Sequence, residues 1–175
     1  MMKDKHSKNS SGFLPKNICC IRRLLLLWLV SSLVGHTAEI GGPISTNTTW
    51  AVADSPFQLT SSVLVAEGIT LTIEAGSVIN VASAGIGFQV NGTLIARGTS
   101  EQKIVFQPAT ATTAGSWGAI GFGDPSTDAT FDADENYTGG SILQHCVLKY
   151  AGGGGADGQI AISNASPLID NCQIE

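Results

Sequence analysis

The sequence predicts an all-β solenoid, a right-handed parallel β-helix of about five coils preceded by a signal peptide. Three observations predict it. From Ser61 onward, apolar alternations of two to five residues recur between glycine, asparagine and serine turns. No window holds the three-four spacing of an amphipathic helix for three turns, and glycines interrupt almost every place one could start. Short phrases also repeat: residues 73–76 (Ile-Glu-Ala-Gly) are echoed after 22 residues by 95–98 (Ile-Ala-Arg-Gly), and residues 145–148 (His-Cys-Val-Leu) after 26 residues by 171–174 (Asn-Cys-Gln-Ile). One unit of that length cannot bury its own apolar face and must stack on its neighbours. A leucine-rich repeat shares the period, but its Leu-rich frame with a fixed Asn is absent.

Residues 1–38 read as the signal peptide. A basic stretch leads into the run LLLLWLVSSLV (24–34), followed by Gly35, His36, Thr37 and Ala38. That is the n-region, h-region and cleavage-region order of an export signal, and the run is short for a spanning helix. Cleavage is expected between residues 35 and 38. Cys19 and Cys20 would leave with it, so only Cys146 and Cys172 count in the body. Secretion or display on the cell surface follows as the expected location.

Residues 39–60 are expected to form a coil-like N-terminal cap, and 61–175 the β-helix. The strands fall at Val63/Val65, Leu71/Ile73, Val78–Val81, Phe88/Val90, Leu94/Ile95, Ile104–Phe106, Ile120/Phe122 and Ile160/Ile162. The body has three basic and thirteen acidic groups after residue 38, a net of −10. Such a surface repels nucleic acid and anionic lipid, which excludes nucleic-acid partners. The strand signal runs to Glu175 without a polar cap, so the final coil is expected to be open. A downstream domain or a homotypic contact is its expected partner.

The run 68–79 (GITLTIEAGSVI), its continuation 90–99 (VNGTLIARGT) and Lys103-Ile104-Val105-Phe106 resemble the first coils of secreted right-handed parallel β-helix proteins of the pectate-lyase-like superfamily. Trp117-Gly118-Ala119-Ile120 matches the tryptophan-glycine strand that commonly follows. Asn164-Ala165-Ser166-Pro167 and Asn171-Cys172-Gln173-Ile174 match phrases of the later coils. The resemblance implies the fold. It leaves function open, because the scaffold hosts lyases, hydrolases, adhesins and surface proteins.

A lyase of this group would need a calcium-binding set of acids with a basic proton abstractor, and the body offers only Arg97, Lys103 and Lys149. Each reads as an exposed turn or edge residue, Lys149 beside Tyr150. His145 has no obvious carboxylate or serine partner. Asp124, Asp128, Asp132, Asp134 and Glu135 crowd residues 124–136, but without the glycine and glutamate of an EF-hand they read as a solvated loop, with a weak calcium site as the alternative. Gly152–Gly155 lacks the Gly-Lys-Ser/Thr ending of a phosphate loop and reads as a corner. The Asn-x-Ser/Thr triplets at Asn47, Asn91, Asn136 and Asn164 match chance in so polar a chain. Trp50, Phe57, Trp117 and Phe131 are too scattered for a sugar-stacking platform, and Thr70, Thr72 and Thr93 too few for an ice-binding ladder.

No catalytic, cofactor or metal residue is therefore assigned. The expected function is a non-catalytic structural or binding module of an exported or surface protein, its partner a polysaccharide or cell-envelope component. A fragment of a polysaccharide lyase or hydrolase is the alternative. Cys146 and Cys172 are expected at equivalent inward positions on neighbouring coils, as stacked thiols or as a disulfide.

Overall fold

The computed structural model describes residues 38–175, so the signal-peptide reading lies outside the described residues. Sixteen strands form in chain order: β1 (Glu39–Ile44), β2 (Thr48–Trp50), β3 (Phe57–Val65), β4 (Thr70–Ile73), β5 (Val78–Val81), β6 (Phe88–Val90), β7 (Thr93–Arg97), β8 (Ile104–Pro108), β9 (Ile120–Phe122), β10 (Thr130–Phe131), β11 (Tyr137–Gly139), β12 (Ile142–Gln144), β13 (Cys146–Leu148), β14 (Ile160–Ile162), β15 (Leu168–Asp170) and β16 (Gln173–Ile174). One turn of 3-10 helix, Val52–Asp54, lies between β2 and β3. All pairings are parallel except β10 with β11.

The strands fall into three stacks. One runs β2-β4-β7-β12-β15. The other two share the nine-residue β3: its Phe57–Leu59 end pairs with β5, which leads to β8, β13 and β16, and its Val63–Val65 end pairs with β6, which leads to β9 and β14. Following the chain, a strand of the β5 stack is followed by one of the β6 stack and then one of the β7 stack. The result is a curled, parallel all-β solenoid.

Side-chain alternation fixes which face of each strand is inside. Phe57, Ile79, Phe106 and Leu148 are register partners and form one inward column. Val65, Val90 and Phe122 form a second, and Trp50, Ile73, Ala96 and Leu143 a third. All of these are buried, each large apolar side chain contributing about 1.5–3 kcal/mol. Trp50 stacks on Phe57 at 5.4 Å and meets Phe88 at 5.9 Å, and Phe88 meets Phe106 edge-on at 5.6 Å, so four rings link the stacks through the core.

The 26-residue echo is the true register, since Val147 pairs with Gln173 and Leu148 with Ile174. The 22-residue echo is corrected by one residue: Thr72 pairs with Ile95, and Ile73 with Ala96. A one-residue slip exchanges inside for outside, and Ile73 is indeed buried while Ile95 is only partly so. The two glycines that suggested the echo have different duties. Gly76 turns the chain at φ 85°, whereas a Cβ on Gly98 would lie 2.7 Å from the His145 carbonyl oxygen.

Corners decide how the levels are spaced. Between β12 and β13, and again between β15 and β16, the chain turns through a residue in the left-handed region, His145 at φ 49° and Asn171 at φ 51°. Asparagine tolerates that region better than most side chains, which explains the Asn-Cys phrase. By contrast, Ile95 and its register partner Ile142 are 47 residues apart, because the chain leaves the solenoid after β9 to make the β10–β11 hairpin.

Candidate functional site

Three side chains in successive levels of the β7 stack form a hydrogen-bonded row on its outer side. Arg97, Gln144 and Asp170 are register partners at the ends of β7, β12 and β15. The Arg97 Nε donates to the Gln144 Oε1 at 3.1 Å, and the Gln144 Nε2 donates to the Asp170 Oδ2 at 2.8 Å. Guanidinium can only donate and carboxylate only accept, so the amide between them has one orientation that serves both. The Asn171 Nδ2 donates to the other Asp170 oxygen at 2.9 Å. These donors, Gln144 first, hold the Asp170 carboxyl below the usual carboxylate range, with His145 adding to the effect.

The hairpin supplies an aromatic edge. The Arg97 guanidinium lies 5.3 Å from the centre of the Tyr137 ring, and Phe131 meets that ring edge-on at 6.5 Å. Tyr137 donates its hydroxyl to the Gly140 carbonyl at 2.6 Å; burial raises its phenol above the ordinary value, Arg97 opposing. Phe131 at the hairpin is half exposed. Ile142 points outward in the register of Thr72 and Ile95, yet it is fully buried and stands apart from the main core cluster. A shallow cleft beside the row is lined by Arg97, Gly98, Thr99, Ser100, Gln144 and His145.

The acids of the stretch 124–136 are all exposed, on an excursion that includes β10 and the turn to β11. Two of its acids are spent on local structure. Asp132 accepts from the backbone N–H groups of Asp134 and Asn136, at 3.0 and 2.8 Å, and closes the turn between β10 and β11. Those bonds, Asn136 first, hold its carboxyl below the usual range. Asp128 accepts from the Ser166 N–H at 2.6 Å and ties the base of the excursion to the level above. Among the described residues no group of three or more His, Cys, Asp or Glu converges as a metal-ligand set.

The other sequence candidates scatter. Lys103 is exposed and Lys149 makes a surface ion pair with Glu175 at 3.6 Å. Trp117 is fully buried, its indole N–H donating to the Lys149 carbonyl at 2.7 Å. Gly153–Gly155 line a trench over the β6 stack with Gly87, Gly118 and Gly121, a surface almost without functional side chains. Of the threonines, Thr70 pairs with Thr93 and Thr49 with Thr72, but the latter column continues as Ile95, Ile142 and Leu168. Arg97 and His145 are the two sequence candidates brought together. Gln144, Asp170 and Tyr137 were missed. A 26-residue shift of Gln144 lands on Asp170, and that was the available signal.

What the row can do follows from its chemistry. The Asp170 carboxyl, held low with one donor on each oxygen, is a poor general acid but keeps acceptor capacity for a ligand. Glu74, one residue past the register pair Ile73–Ala96, spends a carboxylate oxygen on the Val52 N–H at 2.9 Å. A cation, an amide, a carboxylate and an aromatic edge on rigid strands present fixed hydrogen-bonding groups to a polar ligand.

No curated protein and no solved structure matched the chain in comparison. The family described as pectate-lyase like beta helix domain matches residues 42–153, from β1 through the end of the β13 level and including Arg97, Tyr137 and Gln144. With well over half of its length inside that match, and with parallel strands stacked as the family's scaffold requires, this chain belongs to the pectate-lyase-like β-helix domain family.

Proposed function

We propose that the chain is a non-catalytic binding module of an exported or surface protein, and that it holds a polysaccharide or cell-envelope glycan along the outer side of the β7 stack. In this reading residues 1–38 direct export, 39–60 cap the N-terminal end, and 61–175 wind as a right-handed helix of about five coils. Right-handedness follows the strong preference of parallel crossover connections. The observation that carries the reading is the Arg97–Gln144–Asp170 row with Tyr137 beside it. Sugar hydroxyls both donate and accept, and a pre-formed row of donor and acceptor groups next to an aromatic ring suits them. No cofactor is invoked and nucleic acid is excluded by charge.

Affinity electrophoresis through gels containing neutral or acidic plant and bacterial polysaccharides tests it. At least one gel is expected to retard the protein, and Arg97→Ala and Phe131→Ala to restore most of its mobility. Retardation unchanged in both variants would remove the site. Release of new reducing ends or unsaturated sugar products from the same polysaccharides would replace the module by the lyase or hydrolase alternative.

A further inference from the structure

We propose that Cys146 and Cys172 are a thiol–disulfide exchange pair in which Cys172 attacks, Cys146 resolves, and the product fastens the terminal strand β16 to β13. The inference stands on the thiols alone and is independent of the glycan reading. The register of β13 with β16, Val147 to Gln173 and Leu148 to Ile174, sets the two cysteines opposite each other one residue earlier. Neighbouring strands lie about 4.8 Å apart, inside the roughly 4.4–6.8 Å that a disulfide spans between alpha carbons. Both are free thiols.

Their side chains are copies displaced by one level. The Cys146 Sγ lies 3.4 Å from the Ala96 carbonyl oxygen, and the Cys172 Sγ 3.3 Å from that of Leu143, Ala96 and Leu143 being register partners. Each sulfur therefore leans toward the level below, so Cys172 already leans toward the level of Cys146. A rotation of Cys146 away from Ala96 completes the approach. The environments are unequal. Cys146 is almost wholly buried, whereas Cys172 is partly open. Interaction with the Cys146 thiol lowers the Cys172 thiol to about 7, while the neighbouring Cys172 and burial push Cys146 well up. The accessible sulfur is also the better nucleophile.

The oxidant is a low-molecular-weight disulfide, RS–SR. The Cys172 thiolate attacks one of its sulfurs, forming a mixed disulfide and expelling RS⁻. Cys146 gives up its proton to that thiolate, and its sulfur attacks the Cys172 Sγ and expels the second RS⁻, which is protonated from solvent. Two cysteine thiols lose two electrons and one RS–SR becomes two RSH.

The full chain incubated with oxidised glutathione, quenched by alkylation and digested with trypsin gives a direct reading. No Lys or Arg lies between Lys103 and Lys149, or after Lys149, so Cys146 falls in peptide 104–149 and Cys172 in peptide 150–175, both separate from Cys19 and Cys20. Wild type is expected to yield the two peptides cross-linked. Cys146→Ser is expected to accumulate glutathione on Cys172, and Cys172→Ser to leave Cys146 unreacted over the same time. Glutathione persisting on wild-type Cys172 without the cross-link, or no reaction at either residue, would overturn the pair. Equal reactivity of Cys146 in Cys172→Ser would overturn the order of attack. The wild-type arm needs no variant to fold.

Discussion

The middle and the last levels of the solenoid obey the same register but live under different constraints. In β4, β5, β6 and β7 every inward apolar side chain has a level above and below it, and Leu71, Ile79, Val90 and Leu94 are fully buried. In β14, β15 and β16 each strand has a described partner on one side alone: Ile162 is 50% exposed and Ile174 52%, although their partners Phe122 and Leu148 are buried. Burial in a stacked fold is thus a property of the neighbouring level as much as of the residue.

The largest test of that contrast is core truncation. Leu94→Ala should cost about 2–5 kcal/mol of unfolding free energy, whereas Ile174→Ala in this chain should cost under about 1 kcal/mol, because half its surface already faces water. Urea midpoints at unchanged slope measure both. Equal losses would erase the distinction between middle and end.

A smaller difference is expected at the corners. A Cβ on Gly92 would lie 2.2 Å from the Ala66 carbonyl oxygen and 2.3 Å from that of Ile69, so Gly92→Ala must displace backbone at a cost of about 1–3 kcal/mol. At Gly158 a Cβ would meet nothing closer than the Ile160 carbonyl oxygen, an ordinary 3.5 Å away, so Gly158→Ala should leave the melting temperature nearly unchanged. Matching losses at both would show the late corners to be as tightly packed as the early ones.

The smallest effect is electrostatic. Gln144→Leu removes the main donor holding the Asp170 carboxyl low, so Asp170 should titrate at higher pH in the variant, as carboxyl-carbon NMR would record. The sign for stability follows: a carboxylate with a lowered folded value adds stability above its ordinary range and loses it as pH falls through the folded value. The variant should therefore lose slightly less stability on acidification than wild type. An unmoved Asp170 titration would mean that the row does not hold in solution.

Much of the scaffold is written in short-range alternation. Val63/Val65, Leu71/Ile73, Phe88/Val90, Ile104/Phe106 and Ile120/Phe122 each carry their inside-outside pattern within three residues, and all ten face the core. The equivalent placement of the two cysteines was legible too, because β13 and β16 repeat at a simple 26 residues. The row was less so. Arg97 and Gln144 are 47 residues apart in sequence and adjacent in space only because the hairpin lies outside the level spacing. The hairpin itself has strands of two and three residues, with the Asp132 side chain closing its turn, too little alternation to stand out among so many acids.

The base of that hairpin has a consequence for how such a chain can vary. The Ser141 N–H donates to the Thr127 carbonyl at 2.9 Å, and the Thr127 N–H to that of Gly92 at 2.9 Å, so the excursion departs and returns through one narrow neck. Everything between is topologically a side branch. Beyond the contacts of Asp128 and Ala129 with Ser166, segments of other length and composition can be exchanged there while Arg97 and Gln144 stay on their strands. If the proposed glycan site is there, diversification beyond this neck would alter what is bound and leave the stacked strands as they are, much as interchangeable bits fit one handle.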